Sequence, residues 1–256
     1  MELFPALFIG HGSPMNAIED NEFSREWKLV ASQIPRPEVI VCISAHWQTN
    51  GTFITAMDEP RTIHDFYGFP EELYQQQYPA PGNPVFAEEI LLHFENHLIK
   101  PDYSWGIDHG CWSVLMHLFP DADIPVLQLS LDLKKNPEDH FQLAQQLQWL
   151  RKRKVLVVGS GNIVHNLRLI DWQNVNHPWA EEFDRLVKTK IDKRDFDALV
   201  NYNLLGDNYQ KAIPTDEHYL PLLYILAMVN NNSKIKYFCE KVSLGSLSMR
   251  GVMVEG

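Results

Sequence analysis

Short apolar runs rich in β-branched residues alternate along the chain with stretches of helical period, and this alternation sets the first expectation. The runs are Ala6 to Ile9, Val39 to Ser44, Phe53 to Met57, Pro125 to Ser130, Val155 to Gly159, Ile235 to Cys239 and Leu247 to Val254. Between them, apolar residues recur three and four apart over Glu22 to Gln33, Pro84 to Leu98, Trp112 to Phe119, Pro137 to Arg151, Ala180 to Lys193 and Glu217 to Val229. Nearly continuous apolar strands are buried on both faces, so the pattern predicts an α/β fold whose mostly parallel or mixed sheet is covered by helices. Pro84 and Pro137 fit a first helical turn, where a missing amide hydrogen costs nothing. The segment Phe66 to Asn83, with Pro70, Pro79 and Pro81, predicts a long ordered loop with one helical turn near Glu71 to Gln75. Long loops of this kind commonly wall a functional site. No repeat, low-complexity tract or Gly/Ser linker divides the sequence, so residues 1–256 read as a single domain.

Charge and composition narrow the function. Lys plus Arg total 22 and Asp plus Glu 33, a net charge of −11, which disfavours a nucleic-acid partner. Three scattered cysteines, Cys42, Cys111 and Cys239, make neither a disulfide framework nor a paired zinc motif and suit the cytoplasm. The start Met1-Glu2-Leu3-Phe4-Pro5 lacks the basic, apolar signature of a signal peptide. The longest apolar run, Tyr219 to Val229, falls short of the ~20 residues that span a bilayer, so no membrane partner is expected.

Histidine is the informative residue, with 11 in the chain. Three strands run into a glycine or small residue and then a histidine: Ile9-Gly10-His11-Gly12, Ser44-Ala45-His46-Trp47, and Gly159-Ser160-Gly161-Asn162 followed by His165. Ligands of open α/β sheets bind beyond the carboxyl ends of the strands, so His11, His46 and His165 converge if those strands are parallel neighbours. Neutral imidazole is the commonest metal ligand. Each of these histidines taken alone reads more readily as a hydrogen-bonded structural residue; three at equivalent strand ends favour a shared metal or catalytic site. His218, His109 and His64 lie at two helix starts and at the head of the long loop, places that are normally exposed and polar, so sequence alone reads them first as cap-region and loop-surface residues. His93 and His97, four apart on one helix, flank its apolar stripe and lack the H-E-x-x-H order, so they read as a solvated helix edge. His117, His140 and His177 have no motif around them and read as structural or exposed. The turn Gly159-Ser160-Gly161 would need its third fingerprint glycine at Val164, which argues against a nicotinamide cofactor, and no G-x-S-x-G marks a serine nucleophile.

Seven stretches together carry a family pattern: Leu7 to Asn16, Ser44-Ala45-His46-Trp47, Thr62 to Pro70, Tyr78 to Gly82, Trp105 to Gly110, Gly161 to Leu167, and Glu217 to Leu222. In this order they resemble the 4,5-DOPA extradiol dioxygenase family, within the LigB-like class III ring-opening dioxygenases, over nearly the whole chain from Leu7 to about Met249. The resemblance implies a three-layer α/β/α sandwich holding one divalent metal. His11, His46 and His218 match the family's metal ligands, and His165 matches its acid/base residue, close enough to serve as a fourth ligand in a resting zinc form. His109 matches a residue lining the substrate site and is, with His165, a candidate catalytic residue, and His64, in the Thr62 to Pro70 stretch, is the second candidate for substrate binding. The substrates implied are dioxygen and a catechol such as DOPA or a related phenolic. An all-histidine set replaces the 2-His-1-carboxylate triad, which leaves Fe(II) for dioxygenase activity and Zn(II) as a resting form both open. A zinc-dependent hydrolase and a non-catalytic binding protein of the same fold are the competing readings.

Overall fold

The computed structural model describes residues 3–94 and 98–256. The strands are β1 (Ala6–Gly10), β2 (Val39–Thr49), β3 (Thr52–Thr55), β4 (Ile99–Asp102), β5 (Val126–Asp132), β6 (Val155–Gly161), β7 (Lys234–Phe238), β8 (Val242–Ser243), β9 (Leu247–Ser248) and β10 (Gly251–Glu255). The helices are α1 (Glu22–Ala31), α2 (Glu71–Tyr74), α3 (Pro84–His93), α4 (His109–Leu118), α5 (Pro137–Gln146), α6 (Pro178–Asp192), α7 (Phe196–Val200), α8 (Tyr209–Ala212) and α9 (Leu220–Leu226). Eight strands form one mixed sheet in the order β4-β3-β5-β2-β6-β1-β10-β7. Its centre, β5-β2-β6-β1, is parallel, whereas β3 and β10 run antiparallel to their inner neighbours.

Side chains alternate across each strand and so feed two cores. Ala6 and Phe8 of β1 face a core shared with α3, α5, α6, α7 and α9, while Leu7 and Ile9 face one shared with α1 and α4. This is the three-layer α/β/α sandwich. Buried Arg151 ties it together, donating Nε to Phe4 O at 2.6 Å, one Nη to Met228 O at 2.7 Å and the other to Val254 O at 3.1 Å. Among the described residues no helix is long and apolar enough to cross a membrane.

Several boundaries depart from the sequence expectation. Strand β2 runs on through His46 to Thr49, because its pairing with β5 shifts register between Ile43 and Gln48 and the strand continues past the irregularity. The expected helix from Glu217 begins only at Leu220, with Pro221 in its first turn, so Glu217 and His218 sit in the preceding turn. The last expected strand, Leu247 to Val254, is broken into β9 and β10, and β4 is a strand that periodicity did not signal. Helix α3 ends at His93, which packs its ring 4.6 Å from Trp149; His97 lies outside the described residues. His117 and His177 are bound to the backbone carbonyls of Asn16 and Leu169, the structural roles expected of them.

His140 is a buried structural histidine with a measurable signature. Its Nδ1 meets the Tyr224 hydroxyl at 2.9 Å, and burial lowers its pKa from 6.5 to about 4. The unfolded chain therefore binds the extra proton first, and the stability that the neutral ring contributes above pH 6.5 is lost as pH falls toward 4. His140→Gln removes that titration. Chemical denaturation at pH 7 and pH 5 is expected to show the variant losing less stability than the parent over this interval, by on the order of 2 kcal/mol.

Candidate metal centre

The central strands deliver their histidines to one point by different routes. His11 follows β1 directly, and its amide donates to Gly161 O at 3.1 Å, which extends the β1–β6 pairing by one residue. Gly12 then takes φ of +62°, a left-handed turn open to glycine at little cost, where a Cβ would also strike the Met249 side chain. His46 lies in the irregular stretch of β2, and irregularities of this kind re-aim side chains. His218 arrives from the turn before α9. That turn is docked on the end of β6, with Asn162 N–H donating to His218 O at 2.8 Å, and only a glycine at 161 allows the approach.

The three rings form a near-equilateral triangle, with centroids 5.1 Å apart for His11 and His46, 5.3 Å for His11 and His218, and 5.1 Å for His46 and His218. Each has an acceptor oxygen behind its Nδ1. His11 Nδ1 is 2.9 Å from Ser160 Oγ, and because that hydroxyl donates to the Gly110 carbonyl, it must accept from the ring. His46 Nδ1 is 3.4 Å from Asp65 Oδ2, and His218 Nδ1 is 3.0 Å from Glu217 Oε1. With protons drawn to all three Nδ1 atoms, three bare Nε2 atoms face inward. The His11 and His46 Nε2 atoms are 3.2 Å apart, and His218 Nε2 is buried without any partner. Lone pairs in that relation repel unless a cation lies between them. Two nitrogens on one tetrahedral zinc stand roughly 3.3 Å apart, from Zn–N lengths of about 2.05 Å. The donor set therefore fits one divalent ion, and His11, His46 and His218 can all reach it.

Burial is the main cause of depressed basicity throughout. It takes His11 and His218 well below the ordinary value, with neighbouring histidines adding to the effect, and takes His46 to about 3. His165 falls to about 4, from burial and then from His109. These rings are neutral at physiological pH, the form that binds metals.

His165 is not part of the triangle. Its ring stacks on His218 with centroids 3.5 Å apart and planes 6° apart, and its ligating atoms group with those of Glu217 and His218 instead. His109, at the first residue of α4, does reach the cluster, 3.9 Å from His46 and 5.8 Å from His11 by centroid. His64 does not: its Nε2 is held 2.9 Å from Gln76 O, and Phe66 packs against both it and His109. Sequence reasoning missed Ser160 and Asp65, and placed Glu217 only at the start of an expected helix. Ser160 was hidden in a glycine turn, and Asp65, two residues beyond Ile63 in a quoted motif, had no partner visible in sequence. Asp65 Oδ1 accepts the His109 amide at 2.9 Å, and Oδ2 lies 2.9 Å from His109 Nδ1, although the ring N–H points off that line. Burial works against the Asp65 carboxylate, yet His109 and His46 together hold its pKa below the usual value. Asp108 caps α4 from beneath, bound to Ser44, Gln128 and the Cys111 amide, and burial pushes its pKa up.

A family model described as the catalytic LigB subunit of aromatic ring-opening dioxygenase matches residues 5–250. The chain belongs to this family. It is 45% identical over 258 residues to the 4,5-DOPA dioxygenase extradiol of Escherichia coli (strain K12), covering 98% of this chain and 94% of the relative. The 4,5-DOPA dioxygenase extradiol of Beta vulgaris is 35% identical, over 89% of this chain and 87% of its own. The crystal structure of an uncharacterized protein from Escherichia coli K12 superposes with a TM-score of 0.85 at 40% identity, covering 98% of this chain and 99% of that one. Membership of the LigB family implies a metal ion, in keeping with the histidine triangle.

Gly161 tests how this family site is held. A Cβ there would lie 2.1 Å from the His218 carbonyl, so Gly161→Ala is expected to push the His218 turn away from β6 and to cost about 1 to 3 kcal/mol. Denaturation curves read the cost, and a crystal structure of the variant is expected to show His218 withdrawn from His11 and His46.

Proposed function

We propose that this protein is an extradiol dioxygenase that opens the ring of a catechol such as DOPA or a related phenolic, with His11, His46 and His218 holding one Fe(II). The observation that carries the reading is the buried, partnerless Nε2 of His218 facing two other bare Nε2 atoms, in a chain whose relatives carry the name 4,5-DOPA dioxygenase extradiol. Fe(II) would supply open positions for both catechol oxygens and for dioxygen, together with the redox chemistry that zinc lacks. Zn(II) fits the same nitrogens as a resting or isolated form.

The chain's own residues divide the remaining work. Ser160 and Glu217 fix the tautomers of His11 and His218 by hydrogen bonds, and the nearby Asp65 carboxylate favours the same tautomer of His46, an outer layer of contacts that governs metal affinity. His165, neutral and stacked on His218, accepts a catechol hydroxyl proton and returns one as the ring opens. Its stacking fixes its plane, so the proton moves at a set position beside the cluster. His109 and the Phe66 ring that meets it edge-on at 5.5 Å form the substrate-side wall, which excludes water from the face of a bound aromatic ring. His64 braces that wall through Phe66 and Trp112. The histidines come from both halves of the sequence, so the chain acts as one domain. Three buried free cysteines suit the cytoplasm.

Protein purified anaerobically and loaded with Fe(II) is expected to consume oxygen with a catechol and to yield a ring-opened semialdehyde. No uptake across a broad catechol panel, with iron confirmed in the site, overturns the reading and leaves a hydrolase to be tested with zinc. In the same assay His165→Gln is expected to keep its metal and lose turnover by roughly a hundredfold or more, the usual worth of a positioned acid/base. His218→Ala is expected to lose most of its metal, whereas Glu217→Gln retains it at reduced affinity; inductively coupled plasma analysis of the purified variants reads both.

A further inference from the structure

Asp65 stands where two rings of different purpose meet. Its Oδ2 lies 3.4 Å from His46 Nδ1 and 2.9 Å from His109 Nδ1, while its Oδ1 is anchored by the His109 amide at the start of α4. A helix N-terminus stabilises a carboxylate, so Oδ1 is held at the start of α4 while Oδ2 lies beside the two rings. The two rings it serves are themselves in contact, with centroids 3.9 Å apart. The loop bearing Asp65 is fastened two residues before it, at Ile63, whose N–H donates to Ile107 O at 2.8 Å and whose carbonyl accepts from Trp112 Nε1–H at 2.8 Å.

We propose that Asp65 is a shared positioning residue, one carboxylate that orients His46 toward the metal and His109 toward the substrate. The inference rests on the metal assignment above and deepens it. A carboxylate behind Nδ1 draws the ring proton to that nitrogen and leaves Nε2 as a lone pair of raised basicity. For His46 that lone pair is a metal ligand. For His109 it makes the ring an acceptor toward a substrate hydroxyl, and turning the ring to bring its Nδ1–H onto Oδ2 completes the arrangement. Loss of the carboxylate therefore damages two separable quantities, metal affinity through His46 and turnover through His109.

A double-mutant cycle separates them. Zn(II) affinity is measured by competition with a chromophoric chelator, which requires no ring cleavage, and kcat is measured with a catechol at saturating Fe(II). Asp65→Asn is expected to weaken zinc binding by about ten- to a hundredfold, the range for outer-layer partners of ligating histidines, and to do so equally in a His109→Gln background. The same substitution is expected to lower kcat at saturating iron in the parent and to have no further effect once His109 is Gln. Unchanged zinc affinity in folded Asp65→Asn overturns the proposal, as does a kcat loss that persists in full without His109. Binding of two zinc ions that falls to one in Asp65→Asn also overturns it, because Asp65 is then a ligand. If Asp65→Asn does not fold, Asp65→Glu carries the test: it keeps the charge but displaces it, and wild-type affinity and kcat in that variant overturn the proposal. Failure of the metal assignment itself looks different, since zinc would then bind neither the parent protein nor any variant with measurable affinity.

Discussion

Three neutral imidazoles facing one another with bare nitrogens, out of water, are the constraint around which the site is arranged. Each ring is costly to bury and none can satisfy its neighbour, because a lone pair offers nothing to a lone pair. Two of the rings are tied from behind through Nδ1, His11 to Ser160 and His218 to Glu217, and the Asp65 carboxylate lies 3.4 Å behind the Nδ1 of His46. Those three partners differ in kind: a hydroxyl, a carboxylate from a loop and a carboxylate from the adjacent residue. They share only the property of presenting an acceptor oxygen to a ring N–H.

Backbone packing makes the convergence possible. The parallel neighbours β2, β6 and β1 bring their carboxyl ends side by side, and Ser160 of β6 pairs with Ile9 on one flank and Ser44 on the other. It is thus placed directly behind His11. The third ring comes from an element outside the sheet, and its turn can seat against β6 only where a residue has no side chain, at Gly161. The site is assembled from elements far apart in sequence. Its geometry therefore depends on the register of the sheet as much as on any local motif.

Other histidines show what the same residue does when one partner suffices. His140 is as deeply buried as His11, yet it finds the Tyr224 hydroxyl and needs no ion. His117 and His177 reach backbone carbonyls. What distinguishes the cluster is neither burial nor a lowered pKa alone but ring nitrogens left unpaired and aimed at a common point.

The sequence by itself determined the layered α/β architecture, because continuous apolar strands such as Val155 to Val158 can be buried only with helices on both faces. It also determined which histidines stood at chain positions suited to a site: the strand-end pattern grouped His11, His46 and His165, although β2 runs on past His46 and His165 stacks on His218 outside the triangle. His218 was legible as a member of a motif but not as a partner of His11 and His46, since its setting looked like an ordinary helix start. Only the tertiary structure placed it there, by starting α9 late, at Leu220, and folding the Glu217–His218 turn onto Gly161. Glu217 changed role for the same reason: in a helix it would point away from its neighbour, whereas in the turn its carboxylate reaches the His218 ring. Ser160 and Asp65 were invisible for a general cause. A residue that acts by hydrogen-bonding another from behind carries no periodicity, spacing or composition that marks it, and its partner lies 149 positions away in one case and 19 and 44 in the other. Local sequence encodes propensity and periodicity; which nitrogen of a histidine is left bare is decided by contacts that exist only after the chain has folded.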